Sequence, residues 1–375
     1  MSVILSTKLS DIGSSACAKL CAKPSAKCLD RSSKNLTIGL INNMPDSALE
    51  ATERQFTRLL DSASDGITVR LKLYSLSRVP RKGASADRVR ELYSSADELF
   101  GTHLDGLIVT GREPLTPNLN DEPYWDAFTS VLDWARNHTY STVWSCLAAH
   151  AAVLYEDNIR RIRSANKHFG VFDCESVSSH PLTAGLPPRF NIPHSRWNGL
   201  QEKELVAHGY EVLSRVAGAG VDIFTKQHQS LFVFLQGHPE YEPNTLLLEY
   251  QRDIGRFLRA EMATYPLTPK GYFSADSQLR LEELQRESEA GQHDGLQAKA
   301  SKILANATPE STWHSAAGYI YKNWLGYICV QKLAALQAAN TTQEAIPLGL
   351  AGSHRSEAEL PVSLEPVQPG FAVLS

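Results

Sequence analysis

The stretch Ser141-Thr-Val-Trp-Ser-Cys-Leu-Ala-Ala-His-Ala-Ala-Val-Leu-Tyr155 decides how the chain folds. Tyr140 to Trp144 are β-branched and aromatic, the composition of a short buried strand, and Leu147 to Tyr155 are alanine-rich and apolar, the composition of a packed helix. Cys146 therefore falls at a strand-to-helix turn. A side chain there projects beyond the sheet, and the first free N–H groups of the helix, beginning with Leu147, face whatever a thiolate would attack. Such a position lowers a thiol pKa and supplies part of an oxyanion hole. Free cysteine is also among the most buried residue types, so this stretch alone leaves core packing open.

Upstream, strands and helices alternate. Leu36 to Ile41 predicts a strand; Asp46 to Leu60 has helical spacing (Leu49, Thr52, Glu53, Phe56, Leu59, Leu60) with Asp46 or Ser47 as cap. Val69 to Leu76 alternates as a strand does, Arg88 to Leu99 predicts a helix, Leu104 to Gly111 a buried strand ending in a glycine turn, and Pro123-Tyr-Trp125 opens a helix through Trp134. This order implies a mostly parallel α/β sheet covered by helices on both faces, with reactive groups beyond the carboxyl ends of the strands, where Gly111 and Cys146 both lie.

Downstream, His180 to Arg196 is rich in His, Pro and Arg and reads as irregular and surface-lining. Strands are expected over Tyr210 to Ala217, Val221 to Thr225 and Leu231 to Leu235, and helices over Asn244 to Met262, 275–303 and Trp313 to Leu336. The domain expectation is a loosely ordered leader over 1–35, one α/β domain over 36–338 whose C-terminal part (275–338) is helical, and a disordered tail over 339–375.

Composition narrows the function. With 375 residues, 42% hydrophobic and 21% charged, and a net charge of −4 without a basic cluster, the chain reads as a globular protein that binds neither nucleic acid nor membrane. No apolar run approaches the ~20 residues that span a bilayer, and 1–35 lack the apolar core of a signal peptide. Six cysteines, at 17, 21, 28, 146, 174 and 329, are too sparse for a disulfide framework, so a reducing cytoplasm is the expected location. Cys17, Cys21 and Cys28 lack a fourth ligand, and His150 after Cys146 reads as a helix-face histidine, so no metal site is expected.

His238-Pro-Glu240, at the end of the Leu231–Leu235 strand, supplies what Cys146 lacks. A nucleophilic thiol needs a base in hydrogen-bond reach, and the base needs a carboxylate to fix its tautomer. Residues two apart in extended chain share a face, so Glu240 can stand behind His238. A Cys146–His238–Glu240 triad is the resulting expectation.

These residues sit in a longer pattern: Asn43-Met-Pro45, Glu53 to Leu60, Asp105-Gly-Leu-Ile-Val-Thr-Gly111, Tyr124-Trp125, Ser141-Thr142 before Cys146, Lys167, Gly170-Val-Phe172, Pro193-His-Ser-Arg196, Gly237-His-Pro-Glu-Tyr241, Glu249-Tyr-Gln-Arg-Asp253 and Asn323-Trp-Leu-Gly-Tyr327. The pattern resembles the homoserine O-succinyltransferase family, as a divergent member, over roughly residues 36 to 335. The resemblance implies a flavodoxin-like, class I glutamine-amidotransferase-like fold. It implies an acyl-CoA-dependent transfer in methionine biosynthesis, with succinyl-CoA expected as donor over acetyl-CoA, homoserine as acceptor and no bound cofactor. By position, Cys146 would carry the acyl group, His238 would move the proton and Glu240 would orient it, with the Leu147 N–H in the oxyanion hole. Lys167, Ser195, Glu249 and Arg252 would contact substrate; an arginine fork suits an amino-acid carboxylate. The donor-choosing position aligns with Leu115. The sequence leaves a homodimer open.

Departures from the family pattern fall in pockets, not on the triad: Leu147-Ala-Ala-His150 replaces a Trp-Gly-Ala-Gln-like run, and Asp46 to Glu50 stands where a lysine is usual. Two other readings share the fold. A glutamine amidotransferase-like amidase would show glutaminase activity, and a non-catalytic binding relative would leave Cys146 unreactive toward thiol probes at neutral pH.

Overall fold

A computed structural model describes residues 2–6, 26–292, 295–307 and 311–344. In chain order its strands are β1 (Val3–Ser6), β2 (Asn35–Ile41), β3 (Thr68–Ser75), β4 (Ser94–Ser95), β5 (Gly106–Thr110), β6 (Ser141–Ser145), β7 (Ile162–Ser176), β8 (Arg189–Gly199), β9 (Glu211–Val212), β10 (Ser214–Val216), β11 (Gly220–Val221), β12 (Ile223–Gln227) and β13 (Leu231–Leu235). The helices are α1 (Ala26–Ser33), α2 (Leu49–Ala63), α3 (Gly83–Leu92), α4 (Ala96–Phe100), α5 (Trp125–His138), α6 (Leu147–Asp157), α7 (Glu202–Ala207), α8 (Thr245–Leu258), α9 (Ala275–Glu289), α10 (Leu296–Asn306) and α11 (His314–Glu344).

The main sheet runs β1-β3-β2-β5-β6-β13-β12-β9, with β4 also on β3. Its pairs are parallel from β1 through β13, and β12 and β9 add antiparallel partners. Alternation sorts the side chains. Ile38, Leu40, Ile108, Val143 and Val233 face one layer with Phe56 and Leu60 of α2 and Ile320, Trp324 and Ile328 of α11. Leu107, Val109, Trp144, Phe232 and Phe234 face the other, with Phe128 and Leu132 of α5 and Ala148 and Ala152 of α6. Helices on both faces are what a parallel sheet requires, and the α/β expectation holds. Helix α11 is tied to the sheet by polar contacts: Trp324 Nε1 donates to Ser141 Oγ at 2.9 Å, and Lys332 Nζ pairs with buried Asp105 at 2.8 Å.

A second, antiparallel sheet, β11-β10-β7-β8, departs from the sequence reading. His180 to Arg196, expected to be irregular, holds a 3-10 turn at Pro181–Thr183 and then enters β8. The Tyr210–Ala217 strand is divided between β9 and β10, which join different sheets, and the Arg88–Leu99 helix is interrupted by β4. The segment read as a loose leader contributes β1, parallel to β3, and α1, which precedes β2. The final helix continues to Glu344, past the expected boundary at 338; residues 345–375, and Cys17 and Cys21, lie outside the described residues. A third core joins α8, α9 and α10 to β7 through Phe169, Val171, Tyr250, Leu281, Leu304 and Trp313. No helix among the described residues is long and apolar enough to cross a membrane.

Candidate active site

Register brings the chemistry together. β6 lies between β5 and β13, with Ser145 opposite Thr110 on one side and Leu235 on the other. The residues that follow therefore emerge side by side: Gly111, Cys146, and the Gln236-Gly237-His238 loop. Two backbone bonds lock the junction, Cys146 N to Leu235 O at 2.7 Å and Gly111 N to Ser145 O at 3.1 Å.

Cys146 has φ 52° and ψ −111°, a conformation L residues rarely adopt. A strained turn between strand and helix presents a side chain above the sheet, the geometry of a nucleophile elbow, and backbone strain of this kind gathers at functional sites. Its sulfur is half-buried and close enough to His238 for its charge to act on the ring. His238 Nδ1 is 2.8 Å from Glu240 Oε1. Burial pulls the His238 pKa down, yet the neighbouring Cys146 and Glu240 charges, and the hydrogen bond to Glu240, hold it well above the ordinary histidine value. The structure brings the three residues of the expected triad together at one strand end, with Glu240 hydrogen-bonded to His238 and the Cys146 charge acting on the same ring.

Gly111 sets the space in front of the α6 N-terminus. A Cβ there would lie 2.7 Å from the Leu147 and Ala148 backbone nitrogens and 2.5 Å from Leu147 Cβ. The strand end can pass this close to the first helical amides only without a side chain. We expect Gly111→Ala to displace the α6 N-terminus and lower the acyl-transfer rate by about 100-fold, read as kcat by a coupled assay for released thiol; an unchanged kcat would dissociate these amides from the reaction.

The expected substrate residues group beside the triad. Tyr241 stacks on the His238 ring, centroids 4.3 Å apart, and donates from its hydroxyl to Glu249 Oε1 at 2.6 Å. Ser195 Oγ donates to the other oxygen, Glu249 Oε2, at 2.6 Å. Arg252 reaches Asp253 (Nε to Oδ1, 2.9 Å), and Lys167 Nζ lies 3.4 Å from Asp253 Oδ2 and over the Phe169 ring. Half of the Arg252 side chain is exposed, while Nε and Nη2 both meet Asp253 Oδ1 at 2.9 Å. Burial lowers the Arg252 pKa, but Asp253 and Glu249 outweigh it and hold it above the ordinary value. Tyr241 and Asp253 were not singled out from sequence, although both stand inside quoted motifs. Only three-dimensional placement gives them partners.

Leu115 is 48% exposed on a loop that Glu122 organises: its Oε1 accepts from Leu115 N at 2.7 Å, Thr116 N at 2.9 Å and Thr116 Oγ1 at 3.0 Å. Arg161, half-buried and close enough to Cys146 to feel its charge, donates to Pro117 O at 3.3 Å on the same loop. His150 is buried rather than displayed: its Nε2 is 2.8 Å from Gln236 Oε1, joining the helix that follows Cys146 to the loop that carries His238. Gln236 Nε2 donates to Val221 O, so its Oε1 is the acceptor and His150 carries the proton on Nε2. Burial lowers the His150 pKa to about 3 and keeps the ring neutral.

Comparison with known proteins places the chain in a family. The family model for homoserine O-succinyltransferase (HTS) matches residues 18–335. A homoserine O-succinyltransferase of Bradyrhizobium japonicum is 44% identical over 294 residues, covering 78% of this chain and 90% of that protein. One from Rhodopseudomonas palustris is 46% identical over 290 residues, covering 77% and 87%. Among solved structures, a glutamine amido transferase from Methylobacillus flagellatus is similar with a TM-score of 0.44 and 13% identity, over 78% of this chain and 95% of that one. The chain belongs to the homoserine O-succinyltransferase family.

Proposed function

We propose that the protein succinylates the hydroxyl of homoserine, with succinyl-CoA as co-substrate and Cys146 as the acyl carrier, as a step of methionine biosynthesis. The observation that carries this reading is the convergence of Cys146 with the hydrogen-bonded pair His238–Glu240 at the joined ends of β6 and β13.

His238 holds the Cys146 proton, and the sulfur attacks the thioester carbonyl of the donor. The negative charge on the carbonyl oxygen is met by the Leu147 N–H at the head of α6. Collapse of this adduct expels the CoA thiolate, which receives the proton from His238 and leaves an acyl-Cys146 thioester. The acceptor hydroxyl then gives its proton to His238 and attacks the same carbonyl. Cys146 leaves as thiolate, and the proton stays on His238, which restores the starting enzyme. Glu240 holds His238 in one tautomer and stabilises the charged ring in both halves. In this reading Arg252, oriented by Asp253, offers its half-exposed guanidinium to the amino-acid carboxylate, while Glu249, held by Ser195 and Tyr241, and Lys167 order the surrounding groups. The loop of Leu115 and Arg161 borders the acyl chain and sets the choice of donor.

Incubation with succinyl-CoA or acetyl-CoA followed by intact-mass measurement tests the reading. A succinyl adduct that maps to Cys146 and is discharged by homoserine is the expected outcome. An acetyl adduct formed in preference overturns the donor assignment, and absence of any adduct during turnover overturns the covalent route.

A further inference from the structure

Directly against Gly237 lies a buried polar group that the mechanism above does not use. A Cβ at Gly237 would meet Asp222 Oδ1 at 2.9 Å, His194 Cε1 at 3.0 Å and Ile192 Cγ2 at 2.5 Å. Asp222 Oδ1 accepts the Gly237 N–H at 3.0 Å and lies 3.4 Å from His194 Nε2; its Oδ2 takes Ser214 Oγ at 3.3 Å and Cys174 Sγ at 3.6 Å. Arg196 Nε donates to His194 Nδ1 at 3.2 Å, and its two remaining nitrogens donate to Asn198 O and Ala219 O at 2.7 and 2.8 Å. Asp222, His194 and Arg196 are all buried.

Cys174, His194 and Asp222 bring ligand atoms within 4.8 Å of one another, the spacing of a metal site. The hydrogen bonds argue otherwise. Guanidinium has only donors, so His194 Nδ1 must accept, and the proton of the neutral ring sits on Nε2. That is the atom a metal would need. Burial, reinforced by the Arg196 charge, drives the His194 pKa well below the ordinary value, so the ring stays neutral. Arg196 thus fixes the tautomer of His194, the Nε2 edge of the ring faces Asp222 Oδ1 at 3.4 Å without a hydrogen bond, and that same oxygen accepts the Gly237 N–H, one residue before His238.

We propose that Arg196, His194 and Asp222 form a positioning relay that fixes the Gly237 peptide and so aims His238 at Cys146, without touching substrate. The peptide is held on both sides: Gln236 N donates to Asp222 O at 3.0 Å, and His238 N to Pro193 O at 2.8 Å, on the strand that carries His194 and Arg196. This inference rests on the Cys146–His238 reading, not on the identity of the acyl group.

The test uses the full chain with His194→Ala, His194→Gln and Asp222→Asn. Two rates are read per folded molecule, as judged by near-ultraviolet circular dichroism: succinyl transfer, and alkylation of Cys146 by iodoacetamide at neutral pH. His194→Ala should lower kcat about 10- to 100-fold with KM for both substrates unchanged, and slow alkylation in parallel. His194→Gln, which keeps a neutral N–H at the ε position, should restore most of both rates. Asp222→Asn, a change of one atom, should reproduce the alanine defect. A wild-type kcat and alkylation rate in His194→Ala, or glutamine no better than alanine, overturns the relay; so does zinc bound stoichiometrically through Cys174. Alkylation needs no acyl donor, so a relay effect on alkylation without succinyl transfer in the parent protein would fault the substrate assignment alone.

Discussion

Cys146→Ala is expected to reduce acyl transfer by on the order of 10⁴-fold or more, the scale seen when a covalent nucleophile is removed from a site whose members act as a unit. The fold should survive, because alanine pays a backbone cost similar to that of cysteine at φ 52° and the half-buried sulfur holds no core together. Two measurements separate loss of chemistry from loss of structure: release of CoA thiol on mixing with succinyl-CoA and homoserine, and the near-ultraviolet circular dichroism of the tryptophans, of which Trp144 and Trp324 are fully buried. Turnover by the alanine variant within tenfold of the parent would mean that the acceptor attacks the donor directly, with no acyl-enzyme.

His238→Asn is the second large effect, a fall in kcat of about 10³- to 10⁴-fold. Asparagine keeps the stacking face toward Tyr241 in part but cannot ferry a proton between sulfur, leaving group and acceptor. The substitution also bears on stability. The folded pKa of His238 is raised, so the stabilisation that its charged form provides is fully present below the ordinary histidine value of 6.5 and is lost as pH rises through the higher folded value. The difference in unfolding free energy between parent and variant should therefore shrink toward alkaline pH in urea titrations. A difference that grows instead would show that the ring is neutral in the resting enzyme.

The parallel part of the fold was legible because its strands are buried on both faces and read as unbroken apolar runs: Leu36–Ile41, Leu107–Val109 and Leu231–Leu235 need no partner to be recognised. The expectation of a triad came from strand ends, which is where such sheets put reactive groups. The hairpin of β7 and β8 was not legible, and the reason lies in its role. Lys167, His168, His194, Ser195 and Arg196 line a site or a buried polar row, so the strands carry charges where alternation should show apolar residues, and Pro193 looks like a breaker. In the structure its missing N–H does no harm, and its carbonyl receives His238 N. His150 shows the same limit: a histidine on an alanine-rich helix looks displayed until Gln236, far along the chain, closes over it. Residues whose partners come from distant strands are intelligible only after the sheet order is known.

The parallel pairing of Val3–Ser6 with Val69–Lys72 has a practical consequence. Without those four residues, β3 would offer a bare row of amides and carbonyls along much of its length, an invitation to strand exchange between copies. Protein made with its first residues trimmed, or with a bulky fusion pressed against them, would then be prone to self-association even though every group that performs the chemistry was intact.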